Sequence, residues 1–159
     1  MKAIVVTGVP ATGKTKVAKL IAKLINAEYL DVNKIIKDNK LYIRYDRRLR
    51  SYDVKLDKLV NYLVKLIRNS KNKLVIDSHL SHYIPRKYVE LCIVTKCNLK
   101  TLKKRLEKRG YLKNKVRQNL DAEIFDVCLL EAAVRKHKIK IVDTTENIKS
   151  SKLMRIFKK

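Results

Sequence analysis

Glycine, cysteine, acidic residues and long apolar runs are all scarce in this 159-residue chain, and each scarcity excludes something. Three glycines leave no room for a flexible low-complexity linker, and the length suits one domain. The three cysteines, Cys92, Cys97 and Cys128, have neither C-x-x-C spacing nor the even count of a secreted disulfide framework. Cys92, inside "LCIV", reads as buried packing. No apolar stretch approaches the roughly 20 residues that span a bilayer, and "MKAIVV" runs straight into a loop without the pattern of a signal peptide. These features predict a soluble, cytoplasmic protein without a membrane partner. Only 15 Asp and Glu stand against 39 Lys and Arg, a formal charge of +24 that favours polyanionic partners. A lysine-rich proteome, such as that of a thermophile, would give the same charge as a uniform coat.

Short β-branched runs alternate with longer stretches of helical period, the sequence sign of parallel βαβ units. Strands are expected at Ala3 to Thr7, Leu74 to Asp77, Leu91 to Thr95 and Lys140 to Val142, with a weaker one at Tyr29 to Leu30. Helices are expected near 14–25, 56–69, 99–108, 114–137 and 148–157. The prediction is a three-layer α/β/α sandwich. Two stretches break the pattern. Residues 31–54 begin as a short helix and then lose periodicity, and residues 109–118 interrupt a helix at Gly110.

Gly8, Gly13, Lys14 and Thr15 in "GVPATGKT" satisfy G-x-x-x-x-G-K-[ST] between a strand and a helix. Glycines let successive N–H groups curl inward around phosphate oxygens, and the helix N-terminus adds its positive end. Lys14 is expected at the β- and γ-phosphates of ATP, with the Thr15 hydroxyl on Mg²⁺. A second acidic anchor belongs at the end of a neighbouring strand, and Asp77 closes "LVID". It is expected to hold the metal through water; the alternative is a simple strand cap. His79, two residues on and on the same side of an extended chain, would put an imidazole near the γ-phosphate. Read from the residues alone, packing or surface exposure is the commoner fate of such a histidine.

Phosphoryl transfer needs positioning and charge neutralisation, so arginines in the irregular stretches are candidates. Arg105 and Arg109, one helical turn apart, could face a nucleotide under a lid at about 109–119. An ordinary solvated basic helix is the alternative. "YIRYDRRLRSY" interleaves Tyr45 with Arg44, Arg47 and Arg48, suited to a nucleoside monophosphate or a segment of RNA, unless it is merely a solvated loop.

"GVPATGKT", "VIDSH", "RLEKRGY" and "NLDAEIF", in this order, resemble the adenylate kinase isoenzyme six family, across nearly the whole chain. The resemblance implies a nucleoside monophosphate kinase fold on a five-stranded parallel sheet. It implies both ATP-to-AMP phosphoryl transfer and an ATPase of small ribosomal subunit maturation, partnered by ribosomal protein S11 and small-subunit rRNA. ATP contacts are implied at Ala11, Gly13, Lys14, Thr15, Lys16 and Arg109, and the Asp-x-His element falls on Asp77 and His79. The monophosphate segment would be about 31–54. The sequence departs from the family pattern at Ala11, where glycine is usual, at Lys16, where threonine is usual, and in the basic "YDRRLR", where the family is commonly acidic. A nucleotide-switched assembly factor is the alternative to a kinase, and an RNA-binding protein with a vestigial nucleotide fold is a third reading.

Overall fold

The computed structural model describes residues 2–49 and 51–157. Five strands form one parallel sheet: β1 (Ala3–Thr7), β2 (Glu28–Asp31), β5 (Leu74–Asp77), β6 (Val89–Lys96) and β7 (Ile139–Asp143), in the spatial order β2-β5-β1-β6-β7. The three central strands are the apolar ones, because a strand covered on both faces has no solvated side to leave polar.

Along β1 successive side chains serve opposite faces. Ile4 and Val6 join Val17, Ile21, Val75, Leu91, Ile93 and Leu153, packed under α1 (Lys14–Leu24) and α7 (Ser150–Phe157). Ala3 and Val5 join the other core, with Val32 and Ile36 of α2 (Val32–Asp38), Leu59, Leu63 and Ile67 of α3 (Leu56–Asn69), and Ala132 of α6 (Val127–Val134). The four-residue spacing of Leu59, Leu63 and Ile67 makes one stripe on α3. A third cluster of Val9, Ala11, Cys97, Leu102, Leu106 and Val116 seats α4 (Leu99–Lys108) and α5 (Lys113–Ile124) against the loop after β1. Cys92 is fully buried in the sheet.

The predicted three-layer sandwich and its five parallel strands are present. Two local expectations are corrected. Residues 114–137 are two helices, because the chain turns at Asp126, which takes a left-handed φ of 52°. Lys96 at the end of β6 pins that turn, pairing with Asp126 and lying 3.3 Å from Glu123 Oε1. Glu123, in the "NLDAEIF" stretch, also accepts from the Cys97 amide at 2.9 Å. The irregular stretch 31–54 holds more order than its composition suggested. Asp31 caps α2 by accepting from Asn33 N and Lys34 N, and β3 (Tyr42–Asp46) and β4 (Ser51–Val54) pair as an antiparallel hairpin.

Candidate functional site

The loop of residues 8–13 joins β1 to α1, at the carboxyl ends of the parallel strands. Gly8, at φ 142°, passes so close to β6 that a Cβ there would lie 2.4 Å from Thr95 Oγ1. Gly13, at φ 83°, precedes the first turn of α1, and Ala11 also lies in the left-handed region, at φ 68°. Threonines brace the loop from behind. Thr12 Oγ1 donates to the Val9 carbonyl at 2.7 Å and lies 2.7 Å from Thr95 Oγ1, while Thr144 Oγ1 bonds the Thr12 carbonyl.

Lys14 Nζ donates to the Val9 carbonyl at 3.0 Å, folded back over its own loop. Burial lowers its pKa to about 8, partly offset by the charge of Asp77. Thr15 Oγ1 donates to Asp77 Oδ2 at 2.6 Å, and the Tyr29 hydroxyl donates to the same oxygen at 3.0 Å. A hydroxyl and a carboxylate are hard oxygen donors of the kind Mg²⁺ prefers. Among the described residues no group of three or more His, Cys, Asp or Glu side chains could cage a metal. The donor set therefore fits a Mg²⁺ that keeps waters and takes its remaining ligands from phosphates.

His79 does not continue the extended chain expected from sequence. β5 ends at Asp77, and residues 78–81 turn, with Ser81 N donating to Ser78 O at 3.2 Å. The residue is exposed at its own surface, yet enclosure by the surrounding protein, then the charge of Lys14, lowers its pKa to about 4. Its imidazole is neutral at neutral pH.

Arg105 and Arg109 share a cleft of about 490 Å³ with Ala11, Gly13, Lys16 and Asn147. They differ in what they do there. Arg105 Nη2 donates to the carbonyls of Thr144 at 2.8 Å and Thr145 at 3.3 Å, stapling the cleft wall, whereas Arg109 sits exposed at the C-terminus of α4. Lys16 Nζ donates to Asn147 Oδ1 at 2.9 Å across the same cleft. Gly110, Tyr111 and Leu112 alone separate the end cap of α4 from α5, so the stretch expected to form a lid is a short turn and the start of a helix.

Arg44, Tyr45, Arg47 and Arg48 lie on the β3–β4 hairpin and its turn. Arg44 pairs with Asp53 at 3.2 Å, and Tyr45 packs its ring 5.0 Å from that of Tyr52. Lys115 of α5 bonds the Leu49 carbonyl in the hairpin turn and lies over the Tyr111 ring, joining the two irregular stretches. Sequence reasoning missed Tyr29, Lys115 and the threonine braces. Tyr29 sat in the weakly predicted strand, and nothing in the sequence marks its hydroxyl as directed at Asp77.

A glycine-bearing loop between a strand and a helix, a lysine beside it and a hydroxyl–carboxylate pair, on a five-stranded parallel sheet, define a P-loop protein of the nucleotide kinase type. The chain belongs to the adenylate kinase isoenzyme 6 family. Residues 4–126 match the AAA domain family. The protein named "Putative adenylate kinase" of Methanocaldococcus jannaschii is 37% identical over 89% of this chain and 76% of its own length. The "Adenylate kinase isoenzyme 6 homolog" of Schizosaccharomyces pombe is 35% identical over 81% of this chain and 73% of its own. A shikimate kinase from Acinetobacter baumannii, solved with shikimate, shares the fold: TM-score 0.65 at 14% identity, covering 99% of this chain and 93% of that one. Among the described residues no helix is long and apolar enough to cross a membrane.

Proposed function

We propose that this protein is a phosphotransferase that holds Mg-ATP in Gly8–Thr15 and passes the γ-phosphoryl group to a nucleoside monophosphate, AMP first, with a slower transfer to water. The observation that carries this reading is the contact of Thr15 with Asp77 at 2.6 Å beside a lysine ready to leave a carbonyl for a phosphate. The names of the relatives, adenylate kinase and adenylate kinase isoenzyme 6 homolog, support it.

Each residue then has a task. The loop amides and Lys14 hold the phosphates, and Ala11, Gly13 and Lys16 border the nucleotide. Thr15 and Asp77 hold Mg²⁺, Asp77 through water; when bound, the metal neutralises charge on the β- and γ-oxygens. Arg109 neutralises the migrating group, and Arg105 acts beside it by holding the wall at 144–145. Arg44, Tyr45, Arg47 and Arg48 meet the monophosphate from the hairpin, and the segment 109–119 covers ATP as a lid. The monophosphate needs no general base, because its attacking oxygen is already an anion. Water does need orienting, and a neutral His79 imidazole near Lys14 is suited to accept from it.

The test is product analysis. Protein with ATP, Mg²⁺ and AMP should give ADP from both nucleotides; ADP and free phosphate alone, indifferent to AMP, would reject the transferase reading.

The +24 charge and the exposed tyrosine-arginine hairpin favour a second reading on a different scale. In it, ATP hydrolysis switches a cytoplasmic assembly factor of the small ribosomal subunit that binds ribosomal protein S11 and rRNA. Co-purification with small-subunit precursors at moderate salt is expected. Binding to every RNA tried that vanishes at physiological salt would reduce the charge to nonspecific attraction.

A further inference from the structure

A line of hydrogen bonds lies behind the P-loop, outside every role assigned so far. Thr7, the last residue of β1, places its hydroxyl 2.7 Å from His82 Nδ1 and 3.4 Å from the carbonyl of His79. His82 Nε2 is 2.8 Å from Glu131 Oε2, and Tyr83 donates its hydroxyl to Glu131 Oε1 at 2.8 Å. His137 Nε2 lies 2.8 Å from the His82 carbonyl, where it serves as donor. Thr7 and His82 are fully buried, whereas the Glu131 side chain is 36% exposed.

The chemistry fixes the hydrogen positions. A carboxylate only accepts, so His82 carries its proton on Nε2 and Nδ1 accepts from Thr7. Thr7 has one hydroxyl hydrogen, which goes to His82 at 2.7 Å and leaves the His79 carbonyl at 3.4 Å as a longer neighbour. The turn that carries His79 is thus tied outward at two places. Ser78 N donates to Val6 O at 3.2 Å and His82 reaches α6 through Glu131, while the one hydroxyl hydrogen of Ser81 closes the turn on Ser78 O at 2.8 Å and leaves Val6 O at 3.1 Å as a longer neighbour.

We propose that Glu131 and His82 are positioning residues for His79: through Thr7 and the 78–82 turn they fix the backbone that carries its imidazole and set the rate of ATP hydrolysis without binding either nucleotide. This rests on the water-orienting role given to His79 above. Without Glu131 the His82 ring loses its anchor, Thr7 is released to turn its hydroxyl to the His79 carbonyl, and the turn loses its tie to α6. Attack by water depends on sub-ångström placement of an orienting group, whereas an AMP phosphate supplies its own anion and does not need His79.

The experiment compares the full-length protein with Glu131→Ala and Glu131→Gln. Gln keeps an oxygen to accept from His82 Nε2. Glu131→Ala is expected to lower kcat for hydrolysis about tenfold, with KM for ATP and transfer to AMP within about twofold; Glu131→Gln should stay within about threefold of the parent. The His79 ring resonances, followed by NMR without nucleotide, should move in Glu131→Ala and hold in Glu131→Gln. Thr7→Val, similar in volume but lacking the hydroxyl, should reproduce the Ala pattern and serves if Glu131→Ala does not fold. Equal loss of hydrolysis and transfer, damage by Gln equal to that by Ala, or unmoved His79 resonances would overturn the proposal. Absence of hydrolysis in the parent would overturn the role of His79 in orienting water, while the resonances would still decide whether Glu131 positions it.

Discussion

Thr15 and Tyr29 both donate to one oxygen of Asp77, Oδ2, at 2.6 and 3.0 Å. Two elements, α1 and β2, are thereby drawn onto the end of β5. If the carboxylate charge serves Mg²⁺, Asp77→Asn should lower kcat about a hundredfold and raise the Mg²⁺ needed for half-maximal turnover. Tyr29→Phe removes only a neutral donor and should cost about tenfold or less. Turnover titrated with Mg²⁺ separates the two, and an unchanged Mg²⁺ requirement in Asp77→Asn would remove Asp77 from the metal.

Ala11 sits buried at φ 68°, in the left-handed region that favours glycine. A left-handed alanine costs roughly 1–2 kcal/mol, and glycine gives back about 0.5–1 kcal/mol through the freedom of its unfolded state. Ala11→Gly is predicted to stabilise the nucleotide-free protein by about 0.5–1 kcal/mol in urea unfolding. A loss of stability would mean that the methyl group's packing among Val9, Cys97 and Val116 outweighs the strain.

All three histidines have lowered pKa values: His82 and His137 chiefly through their own burial, and His79, exposed at its own surface, to about 4 chiefly through desolvation by the protein around it. The unfolded chain therefore takes up protons near the ordinary histidine pKa of about 6.5 while the native one does not. Stability follows ν_U − ν_N, so it is full above about pH 6.5 and falls as the pH drops toward the native values, near 4 for His79. Thermal unfolding should show Tm falling across this window, with a shallower fall in His79→Asn. The same slope in the variant would assign the effect to His82 and His137.

Lys14 has a pKa of about 8 in the nucleotide-free site, and triphosphate contact would restore its ordinary, higher value. Binding then takes up a proton above about pH 8. ATP affinity is predicted to be level below that pH and to fall by up to tenfold per unit above it. Calorimetry in buffers of differing ionisation enthalpy measures the proton uptake directly. Lys14→Ala should abolish turnover and the pH dependence together.

Arg47 and Arg48 are exposed at the hairpin turn, while Arg44 is held by Asp53. If the hairpin meets the monophosphate, Arg47→Ala or Arg48→Ala should raise KM for AMP about tenfold and leave KM for ATP within about twofold. Initial rates against each nucleotide read the difference. Equal effects on both substrates would point to the global field of a +24 protein.

The sequence by itself determined the sheet, the two helical layers and the loop. Apolar runs such as "AIVV" and "LVID" have no stable place except between helices, and the glycines at 8 and 13 need backbone conformations few other residues adopt. Asp77 was legible because a strand end beside a P-loop is a fixed place in that architecture. The hairpin at 42–54 was not, since an exposed two-stranded ribbon buries too little to impose an alternating pattern. Nor was the break at Asp126, which Lys96 holds from 30 residues away. Only the tertiary structure decided that Tyr29 shares an oxygen of Asp77, that Arg105 staples a wall, and that Glu131 reaches Thr7 through His82. Those relationships are hydrogen bonds between residues 39 to 75 positions apart, and no local propensity encodes a partner at that distance.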